Sequence, residues 1–199
     1  MSRKKSNPYR GDRFTKAAKK QGYAARSVFK LEEIDQRFKL FRRRQKVLDL
    51  GCAPGSWSRY VAECGASVVG VDIQETKGIP GVFLLRSVLK VTPERLRQAL
   101  EGDADVVLSD MAPRTTGDRF GDHVRQIALA ERALELCDAL LVPGGAFVVK
   151  VFDGGEAPAY TAAVKERFAQ VKRVKPEATR RRSVEFFLVA TGFRGSRAS

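Results

Sequence analysis

Two lysines and two acids stand out in this sequence because each lies within or directly after an apolar segment. Lys150 and Glu185 each interrupt an apolar run that has the pattern of a buried strand. Lys30 lies inside an apolar cluster, and Asp110 directly follows another apolar run. Burying a charge is costly unless an opposite charge pairs with it or the group becomes neutral. A lysine held in this way could handle the proton of a substrate hydroxyl, whereas a lysine on an edge strand would only face water.

A second segment suited to chemistry is the turn 51–58, with the sequence Gly-Cys-Ala-Pro-Gly-Ser-Trp-Ser, which follows an apolar run. Gly51 and Gly55 lack a Cβ, so the backbone there can turn sharply and approach a ligand closely. Trp57 then begins a helix in this interpretation. About twenty residues after Gly51, a second apolar run ends at Asp72, where a carboxylate can accept hydrogen bonds from ribose hydroxyls. The segment predicts a site for a nucleoside-bearing cofactor, although the same pattern occurs in α/β proteins that bind nothing there.

The details of this turn disfavour the commoner nucleotide cofactors. Ala53 and Pro54 occupy the middle of the turn, so the dinucleotide motif G-x-G-x-x-G is absent and NAD or FAD is disfavoured. No Gly-Lys-Ser/Thr follows, and no basic residue lies between Lys46 and Arg59 to bind a polyphosphate. A nucleoside without phosphates remains, and S-adenosylmethionine (SAM) is the candidate cofactor.

Apolar runs and helical periodicity predict strands that alternate with helices. The predicted strands cover 47–50, 67–71, 81–85, 105–109, 146–152, 171–174 and 184–191. The predicted helices cover 93–100, 123–141 and 159–168, with one after Gly55 and one or two in 15–36 that display Lys19, Lys20, Arg26 and Lys30. Residues 143–145, Pro-Gly-Gly, are expected to end the helix 123–141. This alternation predicts an α/β fold with a mostly parallel sheet covered on both faces. Ligands bind such sheets at the carboxyl ends of strands, where Gly51, Asp72 and Asp110 are expected.

Charge is unevenly distributed along the 199 residues, whose net charge is +14. Residues 1–46 hold 16 basic and 4 acidic side chains, and residues 165–182 hold 8 and 2. Residues 47–164 hold 11 basic and 16 acidic side chains, which suits a cationic sulfonium cofactor. Two basic segments around a mildly acidic body predict a polyanionic partner, and nucleic acid is the candidate. Solvated surface charge would give the same counts.

Length and composition predict one domain over 13–192, with a basic helical part at 13–46, a flexible basic arm at 1–12 and a tail at 193–199. No apolar run approaches the roughly 20 residues of a membrane span, and the basic N-terminus lacks the apolar core of a signal peptide. We therefore expect a cytoplasmic monomer without a membrane partner. Residues 114–122 are predicted to form a mobile loop over the site.

The cysteines and the sole histidine carry no metal-site signal. Cys52, Cys64 and Cys137 are widely spaced and form no C-x-x-C or Cys/His cluster, so we interpret them as reduced packing residues and expect no metal. His123 is expected at the surface or at a helix cap rather than in catalysis.

Four short motifs resemble those of the FtsJ/RrmJ-type ribose 2′-O-methyltransferases. Lys30, Asp110, Lys150 and Glu185 match that family's Lys-Asp-Lys-Glu tetrad in order, and the turn 51–58 is similar to its SAM loop. The resemblance extends over about 15–192. It implies a Rossmann-like SAM-dependent methyltransferase sheet of seven strands, the last antiparallel, and methyl transfer from SAM to an RNA ribose 2′-hydroxyl. The stand-alone bacterial members that the chain most resembles act on uridine in large-subunit (23S) rRNA, which implies RNA rather than DNA as partner.

The resemblance also implies a cofactor site with one departure. It places the SAM contacts at Gly51, Ala53, Pro54, Gly55, Trp57, Asp72, Ser87 and Asp110. The family usually has an acid after the third strand to contact the adenine amino group, and this chain has Ser87 there. Ser87 can accept a hydrogen bond, but the role of an acid is not carried over.

The residue types predict how such a site works. Lys150 is the candidate base for the ribose hydroxyl, with Lys30 nearby and with Asp110 and Glu185 holding the two lysines; alternatively, Lys150 stays charged and only orients the hydroxyl. The other functions considered are methylation of a tRNA anticodon loop, RNA binding in ribosome assembly without turnover, and SAM-dependent chemistry on a small molecule. The basic flanks disfavour the last of these, and the intact tetrad disfavours the assembly factor.

Overall fold

The computed structural model describes residues 13–113, 117–180 and 183–195. Its helices are α1 (Arg13–Lys20), α2 (Val28–Phe38), α3 (Ser56–Glu63), α4 (Pro93–Leu100), α5 (Arg119–Leu140) and α6 (Ala157–Arg167). Its strands are β1 (Lys46–Leu50), β2 (Ser67–Asp72), β3 (Val82–Leu85), β4 (Ala104–Ser109), β5 (Leu141–Phe152), β6 (Phe168–Val174) and β7 (Glu185–Phe193). The predicted arm at 1–12, residues 114–116 of the predicted loop, and residues 196–199 of the tail lie outside the described residues.

Within the described residues the strands form a seven-stranded sheet with the order β3-β2-β1-β4-β5-β7-β6. β1 to β5 run parallel, and β7 runs antiparallel to both β5 and β6, as predicted. β2 and β3 lie on one side of β1, whereas β4 and β5 lie on the other. Such a switch point leaves a crevice at the carboxyl ends of the two central strands. Gly51 follows β1 and Asp110 follows β4, so both lie at this crevice.

Helices cover both faces of the sheet, which confirms the predicted α/β architecture. One face packs against α2 and α3, with Leu31 and Trp57 among the buried contacts. The opposite face packs against α4, α5 and α6, with Leu96, Leu136 and Val164 in that core. None of the helices in the described residues is long and apolar enough to cross a membrane.

α5 begins four residues before the predicted start at His123. The Asp118 side chain caps this helix, because its Oδ1 accepts a hydrogen bond from the Phe120 backbone N–H at 3.1 Å. An aspartate at the N-cap satisfies one of the backbone N–H groups that have no partner within the helix. The local cap, rather than the start of the apolar periodicity, therefore sets where α5 begins.

The Pro-Gly-Gly segment 143–145 is predicted to end α5, but that helix already ends at Leu140. The segment instead lies inside β5, which begins at Leu141. The pairing of β4 with β5 shifts there, from Ala104 opposite Leu141 to Val106 opposite Ala146. The extra residues on β5 therefore form an irregular excursion within the strand. β6 likewise begins at Phe168, three residues earlier than predicted.

α1 and α2 confirm the predicted N-terminal helices, with one correction. Lys19 and Lys20 are exposed and Arg26 is half-buried, in agreement with a displayed basic surface. Lys30 is predicted to be displayed with them but is only 9% exposed. Its side chain turns toward β7 because a carboxylate there compensates its charge.

The cysteines pack as expected. Cys52 and Cys137 are buried, Cys64 is half-buried, and all three are free thiols. Burial raises the pKa of the Cys137 thiol well above its ordinary value, so this group stays protonated and unreactive.

Candidate active site

Lys150 lies near the end of β5, where β5 extends past β4. The last pair of the β4–β5 ladder is Ser109 with Val149, so Asp110 emerges from β4 beside Lys150. The Lys150 Nζ lies 2.9 Å from Asp110 Oδ1 and 2.6 Å from the Asp110 backbone oxygen. The two side chains are 8% and 19% exposed. Asp110 therefore compensates the charge of a buried lysine at the carboxyl edge of the sheet.

Lys30 of α2 forms a second pair, with Glu185 at the start of β7. The Lys30 Nζ donates a hydrogen bond to Glu185 Oε1, and both side chains are largely buried. The Lys30 Nζ also lies 5.5 Å from the centroid of the Phe187 ring, a distance typical of a cation–π contact. Lys30 thus points into a cleft instead of extending along the apolar surface to water.

The strand register places the two pairs on one face of the sheet. Lys150 lies opposite Phe187 in the β5–β7 ladder, and Phe152 lies opposite Glu185. Side chains of opposite residues share a face, as do those of residues two apart on one strand. Lys150 and Glu185 are therefore diagonal neighbours, a position in which Cα atoms lie about 7–8 Å apart. The antiparallel direction of β7 creates this proximity.

The glycine turn after β1 closes against the residue that follows Asp110. Gly51 has a φ of 75°, and a Cβ added there would lie 2.6 Å from Met111 Cγ and 3.2 Å from Met111 Cα. Both the positive φ and the contact with Met111 require glycine. Gly55, with a φ of 93°, occupies the N-cap of α3. The turn therefore packs closely against Met111, the residue that follows Asp110.

Asp72 at the end of β2 fixes the same turn. Its Oδ2 accepts a hydrogen bond from the Ala53 backbone N–H at 2.9 Å, and its Oδ1 accepts one from the Gln74 backbone N–H at 2.8 Å. A carboxylate oxygen has two lone pairs, so each oxygen can accept another hydrogen bond. Pro54, the residue that follows Ala53 in this turn, is exposed. The arrangement fits a ligand with vicinal hydroxyl groups.

Asp49 is an acid of this site to which the sequence analysis gave no role. It is fully buried in β1, its Oδ2 accepts a hydrogen bond from Ser58 Oγ at 2.6 Å, and its Oδ1 is buried without a hydrogen bond from any described residue. Burial raises its pKa to about 7; the charges of Asp110 and Asp72 act in the same direction, and the Ser58 hydrogen bond opposes them. A charged residue inside an apolar run, the same signal that singled out Lys150, would have identified it.

Two residues predicted to contact the cofactor lie in different surroundings. Trp57, at the second position of α3, is buried; its indole contacts Phe187 and donates a hydrogen bond to the Ser27 backbone oxygen at 2.8 Å. Ser87 is half-buried and lines a cavity of about 460 Å³ together with Ile73 and Leu85. The Trp57 side chain therefore supports the segment before Lys30, whereas Ser87 faces an open cavity beyond β2 and β3.

The two basic segments of the sequence meet in space. Arg13 of α1 pairs with Glu177 at 3.3 Å, and the Arg26 guanidinium donates a hydrogen bond to the Ala178 backbone oxygen. These contacts join the N-terminal helices to the segment before β7. Between them lies a cavity of about 500 Å³ lined by Arg26, Ser27, Lys30, Arg180, Ser183 and Glu185. The Lys30–Glu185 pair therefore forms one wall of a basic cavity; Arg181 and Arg182 lie outside the described residues.

His123 is buried on α5, so the expectation of a surface or capping position is wrong. Its Nε2 lies 2.5 Å from Glu156 Oε2 without the angles of a hydrogen bond. A Cβ added at Gly154 would lie 2.5 Å from His123 Cε1, so the imidazole packs directly on that backbone. His123 thus supports the loop between β5 and α6.

The sheet order and the charged groups at its carboxyl edge define the class of Rossmann-like methyltransferases. The family model of FtsJ-like methyltransferases matches residues 23–193. The chain therefore belongs to the FtsJ-like methyltransferase family.

Two of the most similar relatives are named ribosomal RNA large subunit methyltransferase E. The protein of Acidiphilium cryptum is 46% identical and covers 92% of this chain and 83% of its own length. The protein of Sorangium cellulosum is 47% identical and covers 95% of this chain and 92% of its own length. The alignments span nearly all of the described fold.

Solved structures agree with this assignment. A protein of Plasmodium falciparum described as a ribosomal RNA methyltransferase superimposes with a TM-score of 0.77 at 25% identity, over 87% of this chain and all of that one. Magnesium protoporphyrin IX methyltransferase from Synechocystis PCC 6803, solved with bound SAM, gives a TM-score of 0.50 at 17% identity, over 83% of this chain and 76% of its own. The second likeness concerns the fold alone.

Proposed function

We propose that this chain transfers a methyl group from SAM to the 2′-hydroxyl of a ribose in large-subunit ribosomal RNA. The observation that carries the proposal is the grouping of the Lys150–Asp110 and Lys30–Glu185 pairs on one sheet face, next to the glycine turn. When bound, SAM supplies an electrophilic methyl group on a sulfonium. The protein residues must then bind the cofactor, orient the ribose and accept a hydroxyl proton.

The residues that we expect to bind SAM are the glycine turn and the two acids beside it, Asp72 and Asp110. The backbone at Gly51, Ala53 and Gly55 can approach the ligand closely, and Asp72 can accept hydrogen bonds from the ribose hydroxyls. Asp110 lies between this turn and Lys150.

The adenine end of the site has its own surroundings. The cavity at Ser87 has apolar walls at Ile73 and Leu85, which suit a flat adenine ring, and the Ser87 hydroxyl can accept a hydrogen bond from its amino group.

Lys150 is the residue that acts on the ribose hydroxyl. The carboxylate and backbone oxygens of Asp110 are both acceptors, so they direct two of the three N–H groups of a lysine ammonium and leave the third for the substrate. This arrangement supports orientation of the 2′-oxygen by Lys150. If Lys150 instead takes the hydroxyl proton, it must first lose one of its own. The pH test described below separates these two roles.

The basic cavity between α2 and the segment before β7 is the proposed entry for RNA. Its wall carries Lys30 and Glu185 of the charged group, and Arg26 and Arg180 add positive charge at the rim. Phosphates of a polynucleotide bind such a surface by displacing counterions. A basic wall beside the Lys30–Glu185 pair supports a phosphate-linked ribose, rather than a small neutral molecule, as the substrate.

The relatives favour large-subunit rRNA as the substrate, because two of the most similar are named for that RNA. Uridine is the target nucleotide that the family resemblance implies. The experiment incubates the protein with radiolabelled SAM and, separately, 23S rRNA, large ribosomal subunits and tRNA, and then maps the methylated ribose. We expect label on a uridine 2′-oxygen of large-subunit RNA, and none with Lys150→Ala. Label confined to tRNA would favour the tRNA alternative, and RNA binding without any transfer would favour an assembly factor.

A further inference from the structure

The last residues of β5 continue beyond the neighbouring strand. β4 ends at Ser109, opposite Val149, whereas β5 continues to Phe152. On the other side, β7 pairs with β5 to its end, with Glu185 opposite Phe152. Within the described residues, the edge of β5 at Lys150 therefore has no strand partner where β4 has ended. Buried backbone groups without a partner are destabilising, so this edge needs another source of hydrogen bonds.

Gln126 of α5 supplies two hydrogen bonds to this edge of β5. Its Nε2 donates to the Lys150 backbone oxygen at 2.6 Å, and its Oε1 accepts from the Phe152 backbone N–H at 3.0 Å. Only one orientation of the amide fits, because the first backbone group can only accept and the second can only donate. Gln126 is 1% exposed, so solvent does not compete for these bonds. The side-chain amide continues the sheet in place of a β4 peptide unit.

We propose that Gln126 is a positioning residue for Lys150 in methyl transfer. Asp110 holds the ammonium of Lys150, and Gln126 holds the backbone from which that side chain departs. Without Gln126, the backbone at Lys150 and Phe152 keeps, among the described residues, only its strand pairing with β7. Alignment errors of about 1 Å can cost on the order of a hundredfold in rate. The inference rests on the proposed role of Lys150 and adds a residue of the opposite helical layer to the site.

The first test compares single-turnover methyl transfer to large-subunit RNA by wild type and Gln126→Ala. We expect the rate to fall about ten- to a hundredfold, with SAM and RNA dissociation constants within about twofold of wild type. Tyr160→Phe is the matched control, because Tyr160 Oη also donates a buried hydrogen bond to a backbone oxygen, that of Ala130 on α5, at 2.8 Å. Tyr160→Phe should lower the free energy of unfolding about as much as Gln126→Ala does and leave the rate of methyl transfer unchanged.

Gln126→Glu gives a readout that a purely structural role would not move. The carboxylate can still accept from the Phe152 N–H, but only its protonated form can donate to the Lys150 oxygen. We expect the rate of this variant relative to wild type to rise as pH is lowered from 8 to 6. The titratable or charged groups around it, Lys150 on β5, Asp110 after β4, and Asp122 and His123 on α5, are present in both proteins, so the ratio removes their effect.

Two results would overturn the positioning role: a Gln126→Ala rate that matches wild type or falls no further than that of Tyr160→Phe, and a pH-independent ratio for Gln126→Glu. A wild-type protein that binds SAM and RNA but transfers no methyl group would instead refute the proposed function, and the positioning role with it. The wild-type measurement therefore tells the two failures apart.

Discussion

Lys30 and Glu185 form a buried ion pair although 155 positions separate them in the chain. The pair joins α2 to the first residue of β7, and the β5–β7 ladder places Glu185 diagonal to Lys150. The N-terminal helix, the last strand and the central lysine are therefore tied together at the carboxyl edge of the sheet.

Removing either charge of the Lys30–Glu185 pair alone should lower the free energy of unfolding more than removing both charges. Glu185→Leu leaves the buried Lys30 charge uncompensated and Lys30→Met does the same to Glu185, and we expect each to lower the free energy of unfolding by about 3–5 kcal/mol. The double variant Lys30→Met/Glu185→Leu should be closer to wild type. Urea unfolding at pH 7 measures the free energy of unfolding of wild type, the two single variants and the double variant. Strictly additive losses would contradict a direct buried pair.

Lys150→Ala should abolish methyl transfer while SAM and RNA still bind, since it removes the group that we propose contacts the reacting hydroxyl. Lys30→Ala and Glu185→Ala should cost less. Single-turnover rates from pH 6 to 9 for wild type and Lys150→Arg separate the two roles of Lys150. A rate that rises with pH in wild type, with an inactive arginine variant, supports a base. An active arginine variant restricts Lys150 to orientation, because arginine keeps its proton.

Asp72→Ala should weaken SAM binding, because it removes the proposed acceptor for the ribose hydroxyls and the observed hydrogen-bond acceptor of the Ala53 N–H. We expect at least a tenfold increase in the dissociation constant measured by calorimetry, in line with the roughly 1.5–3 kcal/mol of hydrogen bonds to charged groups. Asp103→Ala is the control, since Asp103 forms only a half-exposed pair with Arg97 among its described contacts. Equal affinities of the two variants would exclude the assigned site.

RNA binding should weaken steeply with salt, with the logarithm of the association constant falling linearly with the logarithm of salt concentration. Arg180→Gln at the cavity rim should lower the slope by about one and leave SAM affinity unchanged. Arg95→Gln, an exposed arginine on α4, is the control and should keep the wild-type slope. Deleting residues 1–12 or neutralising Arg181 and Arg182 should also weaken RNA binding while SAM binding stays intact. A salt-independent affinity would refute the electrostatic interpretation.

Asp49 should make stability depend on pH. Its native pKa is about 7, above the ordinary 3.8, so the native state holds the proton more tightly than the unfolded state. This contribution is fully present below about pH 4 and is lost as pH rises through about 7. Asp49→Asn cannot titrate and can keep the Ser58 hydrogen bond. Its stability relative to wild type should therefore increase from pH 5 to pH 8 in urea unfolding, and parallel pH profiles would contradict a buried, titrating Asp49.

The class of fold and most of the candidate site residues can be predicted from local sequence patterns. Alternating apolar runs and helical periods are local consequences of burial, so they predicted the strands and the parallel sheet. The glycines of the turn and the charges in apolar runs can be identified in the sequence, because each departs from the pattern of the residues around it. Asp49 departs from it too and was overlooked.

Which of these groups pair, and which residues hold them, follows from the three-dimensional arrangement of the strands. The pairing of Lys30 with Glu185 depends on the antiparallel insertion of β7 beside β5, and the role of Gln126 depends on where β4 ends relative to β5. Neither is encoded in a local pattern, because each arises from the register of strands that are distant in sequence. Likewise, Trp57 lies in the conspicuous turn, but packing against Phe187 turns its ring into the core. Long-range register and packing select among the contacts that a local pattern permits.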